Sequence, residues 1–402
     1  MKCRACKNTI DQFLSLGKMP SVNAFLKREE MTNETKTVLA VGFCRNCYLV
    51  QLMKTISPKK LFSHYIYFSS NSLSFLKHCA QTVDHLVSKL KLNKKSFVIE
   101  IASNDGAFLQ YFKKYKIAVL GIDPAENIAR LANQKGINTL SEFFNYSFSN
   151  QLLKKGVSAD LVYGANVLAH VPKIVDFLRG IKIILKPKAT AVFEFPYVRG
   201  LLENKFDIIY HEHVFYFGIL ALINLFRKAN LEIYDVEETA MQGGSLRIYA
   251  SHPNNFLISK SLKTLISQEK NQKFNKLSTY KEMNLSIIKL KKNIINTLKK
   301  LKKSGKTIAA YGAPAKGVIL SNYLGIDKKY IDFIVDKAPE KQGLYVPGIH
   351  LLVESPDKIM TAKPDYLIIL CWNIADEIIA QLKDYRLGGG KFIIPVPKLQ
   401  MK

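Results

Sequence analysis

At 402 residues the chain exceeds one ordinary core and divides into two or three domains. Its 48% hydrophobic and 23% charged residues are those of a globular protein, and no apolar run reaches the roughly 20 residues that span a bilayer. The balance of 59 Lys plus Arg against 32 Asp plus Glu gives +27, which suits either nucleic acid or a lysine-biased chain handling phosphorylated substrates. No RGG tract or basic-aromatic repeat accompanies that charge, so nucleic acid is not the expected partner. The first residues hold no apolar stretch that reads as a signal peptide. A soluble cytoplasmic protein with no membrane partner, a monomer or weak homo-oligomer, is expected.

Residues 1–65 are loop-rich, with short strands at 37–41 and 48–53 around a turn. Residues 72–92 carry apolar side chains at helical spacing, among them Phe75, Leu76, Cys79, Val83, Leu86 and Leu90. Strands then alternate with helices: strands at 96–102, 117–123, 159–164 and 189–195, helices at 107–115, 125–134 and 172–185. Such alternation predicts a parallel, doubly wound sheet. A helix near 220–229 and strands at 231–236 and 246–250 follow. Residues 258–304 read as a long helix or helix pair. Alternation restarts with strands at 307–311, 331–335, 366–371 and 391–395, giving a second, smaller α/β unit. The expected division is 1–65, 66–257, a helical connector at 258–304, and 305–402.

Cys3-x-x-Cys6 and Cys44-x-x-Cys47 supply four thiols in two knuckles. Zinc takes four soft ligands tetrahedrally, and a CxxC turn sets two sulfurs on one side of the ion. Four protein ligands leave no open position, so the zinc is expected to be structural; a redox pair is the alternative. Cys79 and Cys371 stand alone and read as core thiols.

The stretch Glu100-Ile101-Ala102-Ser103-Asn104-Asp105-Gly106 ends a strand and opens a helix. It resembles the E/D-x-G-x-G-x-G loop of class I methyltransferases, whose small residues let the amino-acid part of S-adenosylmethionine approach the backbone. Ala102 and Asn104 stand at two of the glycine positions, and only Gly106 remains. Asp123 closes the next strand, where a carboxylate can accept both ribose hydroxyls; capping the following helix is its structural alternative. NAD competes as ligand, but the loop lacks the glycines its pyrophosphate requires. Asn166 and His170 follow the third strand, at the rim of such a cleft.

Asp207-Ile208-Ile209-Tyr210-His211-Glu212-His213-Val214-Phe215-Tyr216-Phe217 is the densest titratable cluster. It is not HExxH, and its mixture of His, Glu and Tyr suits proton transfer or a buried hydrogen-bonded network. In the second α/β unit, Tyr311-Gly312-Ala313-Pro314-Ala315-Lys316-Gly317 follows a strand and opens a helix. A helix N-terminus with Lys316 and Gly317 makes an anion site, and Asp336 ends the next strand at a ribose-binding position. A nucleoside diphosphate is the expected ligand; NAD and a purely structural Rossmann unit compete. Arg247, near Gly243-Gly244, either adds a phosphate contact or pairs with a surface acid.

Taken in order, the cysteine pairs, Tyr65-Ile66-Tyr67-Phe68-Ser69-Ser70-Asn71-Ser72, Asn104-Asp105-Gly106, Tyr210-His211-Glu212-His213, Gly243-Gly244-Ser245-Leu246-Arg247 and the Tyr311–Gly317 loop make the whole chain similar to the sugar C-methyltransferases of deoxysugar biosynthesis. That resemblance implies a zinc-binding N-terminal domain, a Rossmann-like S-adenosylmethionine methyltransferase domain and a C-terminal Rossmann-like domain. It implies methylation of the carbon beside the ketone of a nucleotide-linked keto-deoxysugar, through an enolate. By motif position His213 would be the base, with Tyr210 and Glu212 orienting it or stabilising the enolate. His170 and one of Tyr65 or Tyr67 would complete the pocket. An O- or N-methyltransferase on a sugar or polysaccharide precursor and a zinc-ribbon RNA-binding module are the rival readings.

Overall fold

The computed structural model describes residues 1–63 and 68–402. Its strands are, in chain order, β1 (Asp11–Pro20), β2 (Lys36–Phe43), β3 (Val50–Leu52), β4 (Phe97–Ile101), β5 (Ala118–Ile122), β6 (Thr139–Leu140), β7 (Ala159–Ala165), β8 (Leu185–Pro196), β9 (Phe215–Tyr216), β10 (Glu232–Thr239), β11 (Ser245–Ser251), β12 (Ile308–Tyr311), β13 (Phe333–Val335), β14 (Val353–Glu354), β15 (Tyr366–Ile369), β16 (Lys391–Ile394) and β17 (Gln400–Met401). They form three sheets.

The first sheet runs β1-β2-β3-β9, all antiparallel. β1 lies where loop was expected: its register shifts twice, between Gln12 and Leu14 and between Ser15 and Gly17, which breaks the period-two pattern that marks a strand. β9 comes from far along the chain, so this sheet is not built by the N-terminal residues alone. It pairs Gln51 with Phe215 and Val50 with Tyr216.

The second sheet runs β10-β11-β8-β7-β4-β5-β6, parallel from β8 to β6 and antiparallel at β11 and β10. Strand order reverses between β4 and β7, and at such a switch point the loops beyond the carboxyl ends open a crevice. The central strands are buried on both faces, which is why they read as continuous apolar runs. The stretch expected as a helix at 107–115 forms a 3-10 helix, Leu109–Tyr115, in keeping with its aromatic-rich, poorly helix-forming sequence. A helix at Tyr146–Lys154, capped by Asn145, was not expected.

The third sheet runs β14-β13-β12-β15-β16-β17, parallel except β17, with its own switch point between β12 and β15. Between the second and third sheets lie two helices, Lys260–Asn271 and Leu277–Lys303. The longer one buries Tyr280, Met283, Ile287, Leu290, Ile294 and Leu298, spaced by three and four residues on a single face. Tyr280 packs against Phe13 and Phe43, at 5.2 and 4.9 Å between ring centroids, so the connector serves as a spine for the first sheet. The first and third units also touch directly. Leu26 and Tyr345 exchange backbone hydrogen bonds, and Glu34 accepts from the Gly348 N–H at 2.7 Å and pairs with His350 at 3.1 Å.

Glu269 ties the shorter helix to the second sheet. Its buried carboxylate accepts the Ile219 and Leu220 N–H groups at 2.6 and 3.0 Å and the Tyr197 hydroxyl at 2.8 Å. It thereby caps helix Ile219–Arg227, whose own N-cap, Gly218, has no side chain to offer. Glu269→Ala strands three buried donors and is expected to cost about 3 kcal/mol, read as a lower urea midpoint with an unchanged slope.

Candidate functional site

Cys3 and Cys6 flank one turn, Cys44 and Cys47 another between β2 and β3, and their sulfurs all lie within 4.8 Å of one another. Cys3 and Cys47 are 3.6 Å apart and Cys6 and Cys44 3.4 Å apart, and none is oxidised. Tetrahedral zinc with bonds of about 2.3 Å needs sulfurs roughly 3.8 Å apart, so the residues fit the ion. Without a cation the thiols compete for charge. Hydrogen bonds from Cys47 and Gln51 favour ionised Cys3 despite its burial, while burial pushes Cys44 up to about 11. Gln51, fully buried on β3, donates to Cys3 Sγ at 3.1 Å, and its own oxygen accepts the Arg4 N–H at 3.0 Å.

Beyond β4 the chain turns through Ala102, Asn104 and Gly106, each left-handed, with φ of 57°, 49° and 80°. The glycine-type backbone is therefore kept by an alanine and an asparagine, at a cost of about 1 kcal/mol that glycine would avoid. Gly106 itself has no substitute: a Cβ there would come within 2.9 Å of Ile137. Asp123 holds the loop, one oxygen accepting the Asn104 N–H at 3.0 Å and the other the Ala125 N–H at 2.9 Å. The Ser69 N–H donates to Asn104 Oδ1 at 2.8 Å, and Ser70 and Lys135 hold Asp105.

Three acids crowd this loop. Burial, then the charges of Asp123 and Asp105, drive Glu100 well above the ordinary carboxylate range, and burial raises Asp123. Glu100 Oε2, Ser103 Oγ and Asp105 Oδ1 are buried without a hydrogen-bond partner. A cationic, donor-rich ligand satisfies all of this, so the residues fit S-adenosylmethionine. The free carboxyl is protonated below its raised pKa, and a bound cation favours its ionised form. Cofactor binding is therefore expected to release protons and to tighten as pH rises toward the raised Glu100 pKa, well above that of an ordinary carboxylate. Calorimetry in two buffers of unlike ionisation enthalpy measures this; zero net protons would contradict it.

Asn166, left-handed at φ 56°, follows β7 and donates its N–H to the Glu194 carbonyl at 2.6 Å. His170 comes one turn later, and its ring meets that of His213 edge-on at 4.9 Å. His213 is buried. Its Nδ1–H donates to the Ile208 carbonyl at 2.9 Å, which leaves Nε2 as acceptor for the Tyr210 hydroxyl at 2.7 Å. Burial pulls His170 down to about 4. Burial first, with the neighbouring His170 ring and the Lys316 charge adding to it, depresses His213 well below its ordinary range, so both rings are neutral at physiological pH. Glu212 turns the other way. Its Oε1 accepts from Asn23 at 2.8 Å, while its backbone hydrogen-bonds His170. His211 donates to the Thr37 carbonyl at 3.2 Å. The cluster is thus stitched to the zinc-bearing unit, and β9 follows directly. Tyr65 and Tyr67 lie outside the described residues.

The loop after β12 repeats the hydrogen bonding of the loop after β4. Gly312 is left-handed at φ 87°, and a Cβ there would meet Cys371 Sγ at 2.6 Å. Asp336 accepts the Ala313 N–H at 2.7 Å and the Ala338 N–H at 2.9 Å, as Asp123 accepts Asn104 and Ala125. Lys341 pairs with Asp336 at 3.3 Å. Gly317 lets the helix Ala315–Leu324 approach Leu370, just past the end of β15. Lys316 lies over the Trp372 ring at 5.5 Å and is held up by the charge of Asp207, which accepts from the indole N–H of that same ring.

Arg247 is not brought to this loop. On β11 it faces helix Leu73–Lys89, buried in ion pairs with Glu194 at 2.8 Å and Glu237 at 3.2 Å and bonded to Thr82. Sequence reasoning missed Gln51, Asn23, Asp207 and Trp372. Asp207 opens the titratable cluster and Trp372 is the one tryptophan of the chain, which were the available signals. Nothing local marked Gln51 or Asn23.

Residues 3–62 match the family model described as a zinc binding domain, 75–236 that of a methyltransferase domain, and 240–397 that of a C-methyltransferase C-terminal domain. The chain is 34% identical over 403 residues to C-methyltransferase NovU of Streptomyces niveus, covering 99% of this chain and 96% of that protein. Among solved structures, magnesium protoporphyrin IX methyltransferase (ChlM) from Synechocystis PCC 6803 with bound SAH is similar at a TM-score of 0.36 and 14% identity, over 44% of this chain and 83% of that one. An S-adenosylmethionine-dependent methyltransferase from Clostridium acetobutylicum ATCC 824 matches at a TM-score of 0.36 and 8% identity, over 44% and 92%. No helix among the described residues is long and apolar enough to cross a membrane. With three family models matching in succession along it and a relative over its full length, the chain belongs to the zinc-binding, S-adenosylmethionine-dependent C-methyltransferases.

Proposed function

We propose that the protein methylates the carbon beside the ketone of a nucleoside-diphosphate-linked keto-deoxysugar in the cytoplasm. The observation that carries this reading is the pair of half-buried Tyr210 and buried His213, its tautomer fixed by Ile208 and its imidazole neutral. A carbon that takes a methyl group must first lose a proton, and a neutral imidazole is ready to accept one. The α-proton passes to Tyr210 Oη as Tyr210's own proton moves to His213 Nε2, and the electrons of the broken C–H bond become the enolate. His170, edge-on to His213, completes the pocket. Glu212 orients the segment from its anchor on Asn23.

Glu100, Ala102, Asn104, Gly106, Asp123 and Asn166 would hold S-adenosylmethionine, which when bound supplies an electrophilic methyl group. The four cysteines would hold zinc away from the chemistry, with every ligand position filled. In the C-terminal unit the backbone of the turn at Gly312, Ala313 and Gly317, with Asp336, would take the nucleotide, a reading supported by their likeness to the cofactor loop.

The test is deuterium exchange in heavy water, without cofactor, across a panel of nucleoside-diphosphate 4-keto-6-deoxy and 3-keto sugars. One added mass unit at the α-carbon of one sugar is expected. No exchange on any sugar, with methyl transfer to an oxygen or nitrogen instead, would refute it.

A further inference from the structure

An enolate places negative charge on oxygen, and until the α-proton has moved none of the side chains assigned to that step is positive. His213 and His170 start neutral, and the positive charge that His213 gains with the relayed proton stands behind Tyr210. Arg199 is paired with Glu238, and Lys205 with Glu203 and the Gly243 carbonyl. Lys316 is placed differently. It sits in the first turn of helix Ala315–Leu324, which packs against the segment Phe206–Ile208, where Phe206 meets Tyr323 at 5.1 Å between ring centroids. Ile208 is the residue whose carbonyl fixes the His213 tautomer. Asp207 beside it is fully buried. One of its oxygens accepts the Trp372 indole N–H at 2.5 Å, and the other has no hydrogen-bond partner. Trp372 in turn lies under the Lys316 ammonium. One short segment thus joins Lys316, Asp207 and His213 across the boundary between the second and third sheets.

We infer that Lys316 is a catalytic residue of the C-terminal unit, its ammonium stabilising the enolate oxygen while Asp207, pinned by Trp372, holds that ammonium in place. The inference rests on the enolate reading above. The mutual influence of the charges agrees with it. Burial lowers Lys316 and raises Asp207, and each opposes that effect on the other. Asp207 and Lys316 together are neutral overall, so the pair survives burial and leaves the ammonium able to answer a new negative charge. No bond to Lys316 forms or breaks; the proton goes to the Tyr210–His213 pair and the negative charge remains on the substrate oxygen. This also gives the C-terminal unit a part in the chemistry as well as in holding substrate.

The experiment compares wild type, Lys316→Met and Lys316→Arg for α-proton exchange in heavy water with the keto-sugar nucleotide. Calorimetry gives the affinities for that substrate, for the bare nucleoside diphosphate and for S-adenosylmethionine. K316M is expected to slow exchange by about 10²–10³-fold. All three affinities should stay within about threefold, and K316R should recover part of the rate. Exchange by K316M at close to the wild-type rate would overturn the inference. So would a loss confined to nucleoside-diphosphate affinity, which would place Lys316 on the phosphates. Should K316M fail to bind S-adenosylmethionine, Lys316→Gln is read by the same exchange. Wild-type protein that exchanges no sugar of the panel defeats the enolate reading and this inference together, whereas K316M exchange defeats this inference alone.

Discussion

Replacing His213 with alanine is expected to lower methyl transfer by about 10²–10⁴-fold, the range for removing a positioned general base. The loss should appear in kcat, because the ring's hydrogen bonds run to Tyr210 and Ile208 of its own segment. Solvent exchange at the substrate's α-carbon should fall with it, and cofactor affinity should hold. The same truncation leaves a small cavity against the His170 ring, so thermal unfolding of the variant needs checking alongside. Glu212→Ala should act more weakly, because Glu212 reaches Asn23 and positions the segment through it. A His213→Ala variant that keeps wild-type exchange would remove the base from the account.

The second large effect concerns a metal that takes no part in the chemistry. Stripping zinc with a chelator, or replacing Cys44 with serine, is expected to abolish turnover. Structural zinc supplies on the order of 10 kcal/mol of folding energy in small domains. Here the ion's neighbours lead straight to the histidines. Gln51 donates to Cys3 Sγ and pairs across to Phe215 of β9. The Leu52 N–H donates to the Val214 carbonyl at 2.8 Å, and the Val214 N–H to the Ala169 carbonyl at 2.7 Å. β3 therefore holds the residues that follow His213 and precede its partner His170. The cofactor loop belongs to another sheet, so S-adenosylmethionine should still bind the stripped protein. Turnover by a zinc-free chain, confirmed by atomic absorption, would contradict this coupling.

Much of the fold was legible because its central strands are buried on both faces and its helices keep one apolar stripe, patterns that survive in one dimension. What was not legible depended on distance along the chain. β1 hid behind two bulges, and β9 is two residues long, with no pattern to show that it belongs beside β3. The site divides likewise. The cysteine pairs and the Tyr210–His213 cluster announce themselves by residue type and spacing. The left-handed loop at Ala102 and Asn104 looked like a departure from the glycine pattern, and the backbone keeps the same turn without the glycines. Arg247 sat beside a glycine pair like a phosphate ligand, but the strand's alternation points it at Glu194. Lys316 was visible as a cation at a helix start. That it lies beside Asp207 and Trp372 needed the packing of one unit on another.

The most direct test of the central claim uses S-adenosylmethionine labelled with carbon-13 in its methyl group, incubated with the keto-sugar nucleotide panel and read by NMR. A product whose labelled methyl carbon couples directly to a ring carbon beside the ketone is the predicted result. A label found on oxygen or nitrogen, with no carbon–carbon coupling, would contradict the account.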